Sequence, residues 1–198
     1  MQSLKEKYNK EVVPEMMKRL GYKNKMAVPS IKKVVLNSSF GKAVVGKSAS
    51  EREKIQKLIT QDLSLIAGQA TNLVKSRKSI AGFKLREGLE IAAVVTLRKN
   101  RMWDLLERLI YLSLPRSRDF KGLEPKSVDK NGNLSIGFKE HIFFPEIFTE
   151  KEKTIFGLEI TIVTNAKSKE EGLELYKLLG FPMKETLGRS PTGEATKQ

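Results

Sequence analysis

Three segments read as strands, each able to turn one apolar face inward, and this limits the possible fold more than any other feature of the chain. Ile31-Lys-Lys-Val-Val-Leu-Asn37 is the first. In the second, Ile91, Ala93, Val95 and Leu97 alternate with Ala92, Val94, Thr96 and Arg98. In the third, Leu158, Ile160 and Ile162 alternate with Glu159, Thr161 and Val163. A period of two sends successive side chains to opposite faces, so each segment predicts a strand with one apolar face. Residues 71–75 form a shorter strand candidate. Asn131-Gly132 is a two-residue hairpin signal, flanked by Val128 and by Leu134-Ser-Ile136.

Helical spacing fills the intervals. Leu4, Tyr8, Val12, Met16 and Leu20 recur every fourth position; Pro14 predicts a kink or restart, and Gly21 a stop. Ser50-Glu-Arg-Glu53 reads as a capping box opening a helix with Ile55, Leu58, Ile59, Leu65 and Ile66, ending at Gly68. Asn100 is the expected cap of a helix bearing Met102, Leu105, Leu106, Leu109 and Ile110, stopped by Pro115, with Trp103 in the core. Ser168-Lys-Glu-Glu171 opens the last helix, with Leu173, Leu175, Leu178 and Leu179, which ends at Gly180.

At 198 residues the chain suits one domain. The element order predicts an α+β fold, an antiparallel sheet with amphipathic helices on one face and an extra N-terminal helix. The domain is expected over 1–183 and a flexible tail over 184–198. With Val34, Leu36, Ala93, Val95, Leu97, Ile160 and Ile162 toward the helices, the other face collects Lys33, Asn37, Thr96, Arg98, Thr161 and Glu159. Such a face fits a platform for a nucleic-acid backbone or an ordinary solvated surface, and the residues alone leave both open.

Composition then removes whole chemistries. There is no Cys and a single His, so thiol nucleophiles, Cys-ligated metals and two-histidine metal sites are excluded within the chain. No catalytic, metal or cofactor site is expected. The net charge is +14, well above the magnitude of about 2–8 ordinary for small soluble domains. Excess positive charge favours an anionic polymer, since each neutralised phosphate releases counterions. The longest apolar run, 91–97, is far short of the roughly 20 residues of a membrane span, so no membrane partner is expected. The N-terminal Met1-Gln-Ser-Leu-Lys-Glu has no apolar signal core, and Glu6, Glu11 and Glu15 disfavour a transit peptide. A reducing cytoplasm is the expected setting.

Four local motifs bear on chemistry. Gly41-Lys-Ala-Val-Val-Gly46-Lys47-Ser48 matches the phosphate-binding P-loop pattern. Against it stand the helix start expected at Ser50, the lack of a strand ending in a magnesium-binding Asp, and an antiparallel strand order. The stretch 75–86 carries Lys75, Arg77, Lys78, Lys84 and Arg86 and no acid, with Ser residues, Gly82 and Phe83 between them. Cations beside a stacking ring and a close-approach glycine point to RNA. Pro115-Arg116-Ser-Arg118-Asp119-Phe120-Lys121-Gly122 reads as a bidentate anion contact or as a salt-bridge knot. His141, beside Phe143, Phe144 and Pro145, reads as packing or rim.

Longer motifs carry a resemblance. They are Ile66-Ala-Gly68-Gln69, Lys78-Ser-Ile-Ala-Gly-Phe-Lys-Leu-Arg-Glu-Gly88, Val95-Thr-Leu-Arg98, Arg101-Met-Trp103, Pro115-Arg-Ser-Arg-Asp-Phe-Lys-Gly122, Phe144-Pro-Glu-Ile147, Gly157-Leu-Glu-Ile-Thr-Ile162 and Ala166-Lys-Ser168. On these, from about residue 2 to 183, the chain resembles the bacterial large-subunit ribosomal protein family number five, which binds 5S ribosomal RNA. The resemblance implies a non-enzymatic ribosomal constituent with a curved antiparallel sheet, placed in the central protuberance of the large subunit. Implied partners are 5S rRNA, 23S rRNA, the P-site tRNA, other large-subunit proteins and a protein of the small-subunit head. It implies a 5S surface at Asn37, Gln69, Thr71, Lys75, Arg77, Thr96 and Arg98. It implies a tRNA-binding loop of Lys78, Ser79, Ile80, Ala81, Gly82, Phe83, Lys84 and Arg86. It implies an intersubunit bridge at Arg116, Arg118, Asp119 and Phe120. Where the family usually reads Asn-Met-Gly-Val-Gly, this chain has Asn37-Ser-Ser-Phe-Gly41, placing Ser39 at an expected glycine. A small P-loop ATPase or kinase, and a nonspecific nucleic-acid-binding module, are the competing readings.

Overall fold

The period-two segments all become strands. β1 (Ile31–Ser39), β2 (Asn72–Lys75), β3 (Glu90–Leu97), β4 (Leu134–Phe138) and β5 (Leu158–Thr164) form one sheet in the order β2-β3-β1-β5-β4, antiparallel throughout. The computed structural model describes residues 3–117, 120–147 and 155–184. Register pairs Leu36 with Val95 and Ile160, and Val34 with Leu97 and Ile162. These side chains and Ala93 are buried under the helices, as the alternation requires. The opposite face, carrying Lys33, Val35, Asn37, Val94, Thr96, Thr161 and Val163, stays half-buried and open.

Two helices accommodate a proline in the same way. Helix α1 runs as α-helix over Leu4–Lys7, as a π turn over Tyr8–Val12, and as α-helix again over Val13–Leu20. A proline in a helix lacks an N–H and its ring collides with the carbonyl four residues back. Widening the turn before Pro14, with Val13 N–H bonded to Tyr8 O, avoids that collision without a break. Pro115 shows the same arrangement: Lys99–Arg108 is α-helical, Leu109–Ser113 is a π turn, and Leu114–Arg116 continues the helix, together α4. Pro115 therefore does not stop its helix. The strict spacing of four also overshoots, because Leu4, Val12 and Met16 are buried while Leu20 is 39% exposed.

Two expected caps move. After the single turn α2 (Gly41–Val44), helix α3 (Ala49–Ala67) is capped by Ser48 and not by Ser50. Ser48 N donates to Glu51 Oε2 at 3.0 Å and Glu51 N to Ser48 Oγ at 3.4 Å, a complete capping box two residues earlier than expected. Asn100 caps nothing; its Oδ1 accepts from Lys5 Nζ, tying α1 to α4. The last helix, α5 (Lys169–Leu179), starts at Ser168 as expected and ends at Gly180 in the left-handed region.

The hairpin signal at Asn131-Gly132 becomes a three-residue loop closed by Asp129 N donating to Asn133 O. The Asp129 carboxylate gathers the Asn131 and Asn133 amides and Asn133 Nδ2. Desolvation opposes ionisation, but these bonds win and hold the carboxyl below its usual range. Gly132 then lies against Gly172 of α5, and Tyr176 Oη donates to Gly132 O at 2.9 Å. Trp103 is in the core, tilted against Tyr8. His141 is fully buried, stacked on Phe156 at 3.7 Å and 3.7 Å from an Asp62 oxygen, out of reach of any substrate.

Candidate nucleic-acid interface

Side chains on the open sheet face are short and nearly uncharged. Val35 pairs with Thr96 and Thr161, and Asn37 with Val94 and Glu159, so the middle of the face is a smooth surface of Val, Thr and Asn. The alternation alone predicts a partly basic face; the cations stand at its border instead, because strand ends and loops supply them. Glu159, the one acid in the middle, is held by Asn37 Nδ2 across the strand pair. Among the described residues Asn37 Oδ1 and, just before β2, Thr71 Oγ1 are buried atoms without a hydrogen bond.

One end of β3 gathers a polar corner. Gln69, just past the C-terminus of α3, donates to Thr96 O and accepts from Arg101 Nη1 at 3.1 Å. Arg98 is exposed beside them at the start of α4. Gln69, Thr96 and Arg98 are thus brought together, and Arg101 joins them. Its signal was present: Arg98 and Arg101 are three apart across a helix start, hence on one side. Lys75 and Arg77 lie elsewhere. Lys75 pairs with Glu90 at the opposite end of β3, 3.9 Å away, and Arg77 begins the hairpin beyond it. The two ends of β3 are about 20 Å apart.

The basic stretch 76–89 is an ordered hairpin extension of β2 and β3. Ser76 N donates to Leu89 O and Gly88 N to Ser76 O at its base. Ile80 and Leu85 exchange both backbone hydrogen bonds near the tip, and Glu87 N donates to Ser79 Oγ. A 3-10 turn over Ala81–Phe83 closes it, with Lys84 in the left-handed region. Phe83 is 69% exposed, and Lys78 and Gly82 also face solvent. The Phe83 ring is thus held at the tip with a face available for base stacking.

The P-loop match fails for a reason other than the one first expected. Ser48 does sit at the helix start. However, Gly41–Val44 form a helical turn in which Val44 N donates to Phe40 O and Val45 N to Gly41 O. The amides of Lys47 and Ser48, which a P-loop aims at the phosphates, are spent on Val44 O and Glu51 Oε2. The cap is taken by Glu51, whose carboxyl the Ser48 hydroxyl and amide hold below its usual range. The antiparallel sheet completes the case.

Of the bridge residues, Arg116 is exposed at the end of α4, and Phe120 packs its ring against the core. Arg118 and Asp119 lie outside the described residues, as does the tail from 185. Lys184, assigned to the tail, donates its amide to Leu123 O at 2.8 Å.

Comparison with known proteins gives a consistent match. Residues 24–86 match a family model described as ribosomal protein L5, and residues 90–183 match the model of the C-terminus of that same ribosomal family. The large ribosomal subunit protein uL5 of Geotalea uraniireducens is 48% identical over 184 residues, covering 93% of this chain and 99% of that protein. That of Dictyoglomus thermophilum is 50% identical with the same coverage. The protein named uL5c from Tetradesmus obliquus is 48% identical over 181 residues, 91% of this chain and 97% of that protein.

Proposed function

Since the chain belongs to the ribosomal protein L5 family and is a non-enzymatic constituent of the large ribosomal subunit, we propose that it grips 5S rRNA on its open sheet face in cytoplasmic ribosomes. The observation that carries this reading is the smooth face of Val, Thr and Asn, bordered by Gln69, Arg98 and Arg101. Double-helical RNA is recognised by shape and by 2′-hydroxyl and phosphate contacts across a wide, shallow minor groove. Small side chains let the backbones approach; Thr and Asn side chains meet hydroxyls; peripheral cations meet phosphates. The domain over 1–183 carries this surface, and 23S rRNA and neighbouring large-subunit proteins bound it.

The hairpin is the natural reach toward the P-site tRNA, with Phe83 as a stacking ring and Lys78 as a phosphate contact. The end of α4 from Arg116 onward is the proposed contact to the small-subunit head. A gel shift with 5S rRNA against a shuffled-structure control tests the first claim. Thr96→Glu puts a carboxylate on the open face without disturbing the core and is expected to weaken 5S binding by tenfold or more, on the order of the loss of one charged contact. Replacing Lys78 and Phe83 by Ala is expected to leave it within about twofold while weakening tRNA placement, since single stacked bases are worth about 1–3 kcal/mol. Equal affinity for the shuffled RNA would instead support a nonspecific module.

A further inference from the structure

We infer that Arg108 is a positioning residue for RNA recognition: together with Glu146 it grips the C-terminal end of α3 and so fixes Gln69 at the polar corner. The inference rests on the proposed 5S surface and names what holds that surface in shape. The last four carbonyls of a helix lack partners within it, and the helix dipole favours a cation beside them. The last turn of α3 contains no basic residue. Arg108 of α4 meets both needs from outside, donating from Nη2 to Ile66 O at 3.0 Å. The guanidinium is itself fixed from two further sides. Its Nε donates to Asp104 O, one turn back in α4, at 3.4 Å, and its Nη1 is paired with the Glu146 carboxylate. A planar fork engaged through all three nitrogens is held against rotation.

Ile66 lies three residues before Gln69, with Gly68 between them in the left-handed region at φ of +61°. The direction in which the chain leaves α3 therefore sets where Gln69 starts. From there Gln69 donates to Thr96 O and accepts from Arg101 Nη1, which orients its amide. Arg101 and Arg108 are seven residues apart, about two helical turns, so one side of α4 holds both the end of α3 and the side chain just beyond it. Glu146 extends the grip to the segment after β4. Positioning fits Arg108 better than phosphate contact does. Its side chain is 29% exposed, that of Glu146 is 22% exposed, and the charge of one is already met by the other. A cation so paired has few counterions to release when RNA arrives.

The test uses the full chain and 5S rRNA. Gln69→Ala removes the contact itself and is expected to weaken binding about tenfold. Arg108→Ala is expected to weaken it about fivefold while the log–log salt slope stays within about 0.3 of the parent, since its charge is spent inside the protein. Arg98→Ala, which removes an exposed cation at the same corner, should flatten that slope by about 1. In a Gln69→Ala background, Arg108→Ala should cost less than about twofold more, because it acts through a side chain that is no longer there. The side-chain amide signals of Gln69 in a nitrogen–proton correlation spectrum of the RNA-free protein should move toward free-glutamine values in Arg108→Ala. Glu146→Gln keeps an acceptor for the guanidinium without the charge. It is expected to weaken binding about threefold with the same coupling to Gln69, and it carries the test if circular dichroism shows that Arg108→Ala does not fold. The inference is overturned if the losses multiply, if Arg108→Ala flattens the slope as Arg98→Ala does, or if the Gln69 amide signals stay in place. The 5S reading fails separately, when the parent chain binds the shuffled-structure RNA equally well, and the amide signals are read without RNA.

Discussion

At the scale of the residue, the tightest constraint is a pair of glycines distant in sequence. A Cβ on Gly172 would lie 2.5 Å from Gly132 Cα and 2.9 Å from Gly132 O, and both obstacles are backbone. Gly132 cannot retreat, because its carbonyl accepts from Tyr176 Oη and Thr164 Oγ1 and its φ of +73° is set by the Asp129 loop. Gly172→Ala is therefore expected to cost about 2–4 kcal/mol, despite the higher helix propensity of Ala. In a domain of this size that lowers Tm by about 5–10 °C in a thermal melt. An unchanged Tm would mean that α5 slides along the sheet at no cost. Nothing in the sequence signals this contact. Gly172 reads as a weak spot inside a helix, and its partner lies in a distant turn, brought near only by β4 pairing with β5.

At the scale of the element, strands were more legible than helix ends. Strand alternation is enforced by burial of a whole face, so Val34, Leu36, Val95, Ile160 and Ile162 announce themselves. Helix ends depend on a few hydrogen bonds, and two overlapping candidates compete at the start of α3: Ser48 with Glu51, and Ser50 with Glu53. The turn at Gly46, with φ of +79°, aims the chain so that the earlier pair caps. The π turns were illegible because a proline in a helical pattern predicts a break as readily as a widened turn. Their presence makes a prediction. A proline inside a helix ordinarily costs about 3 kcal/mol. The widened turn over Tyr8–Val12 already removes the collision, so Pro14→Ala should raise Tm by less than about 3 °C in a thermal melt. A rise of about 6 °C or more would show that the strain remains at Pro14.

At the scale of the whole molecule, the question is how a charge of +14 acts when the middle of the proposed binding face carries almost none. Lys33, Lys75, Arg77, Arg98 and Arg101 border the face, and one of them, Lys75, already has a partner in Glu90. The corner at Gln69 was legible from the family motifs, whereas the division between neutral middle and cationic border was not, since it depends on which strand ends meet. The division separates two contributions to affinity. In the proposed complex, contacts of Asn37 and the Val–Thr surface with sugar hydroxyls would release no counterions and would be indifferent to salt. The border cations exchange counterions for phosphates, and about five to eight of them give a log–log slope of roughly −4 to −7 for 5S rRNA. Measured by filter binding over a range of potassium chloride, a slope beyond about −12 would mean that most of the net charge acts as a diffuse cloud, which a featureless polycation would do equally well. A slope shallower than about −2 would leave the border cations unengaged and the neutral face alone responsible for binding. The intermediate slope should also persist in Thr96→Glu, with lower affinity at every salt concentration, because that substitution damages the neutral middle and leaves the border in place.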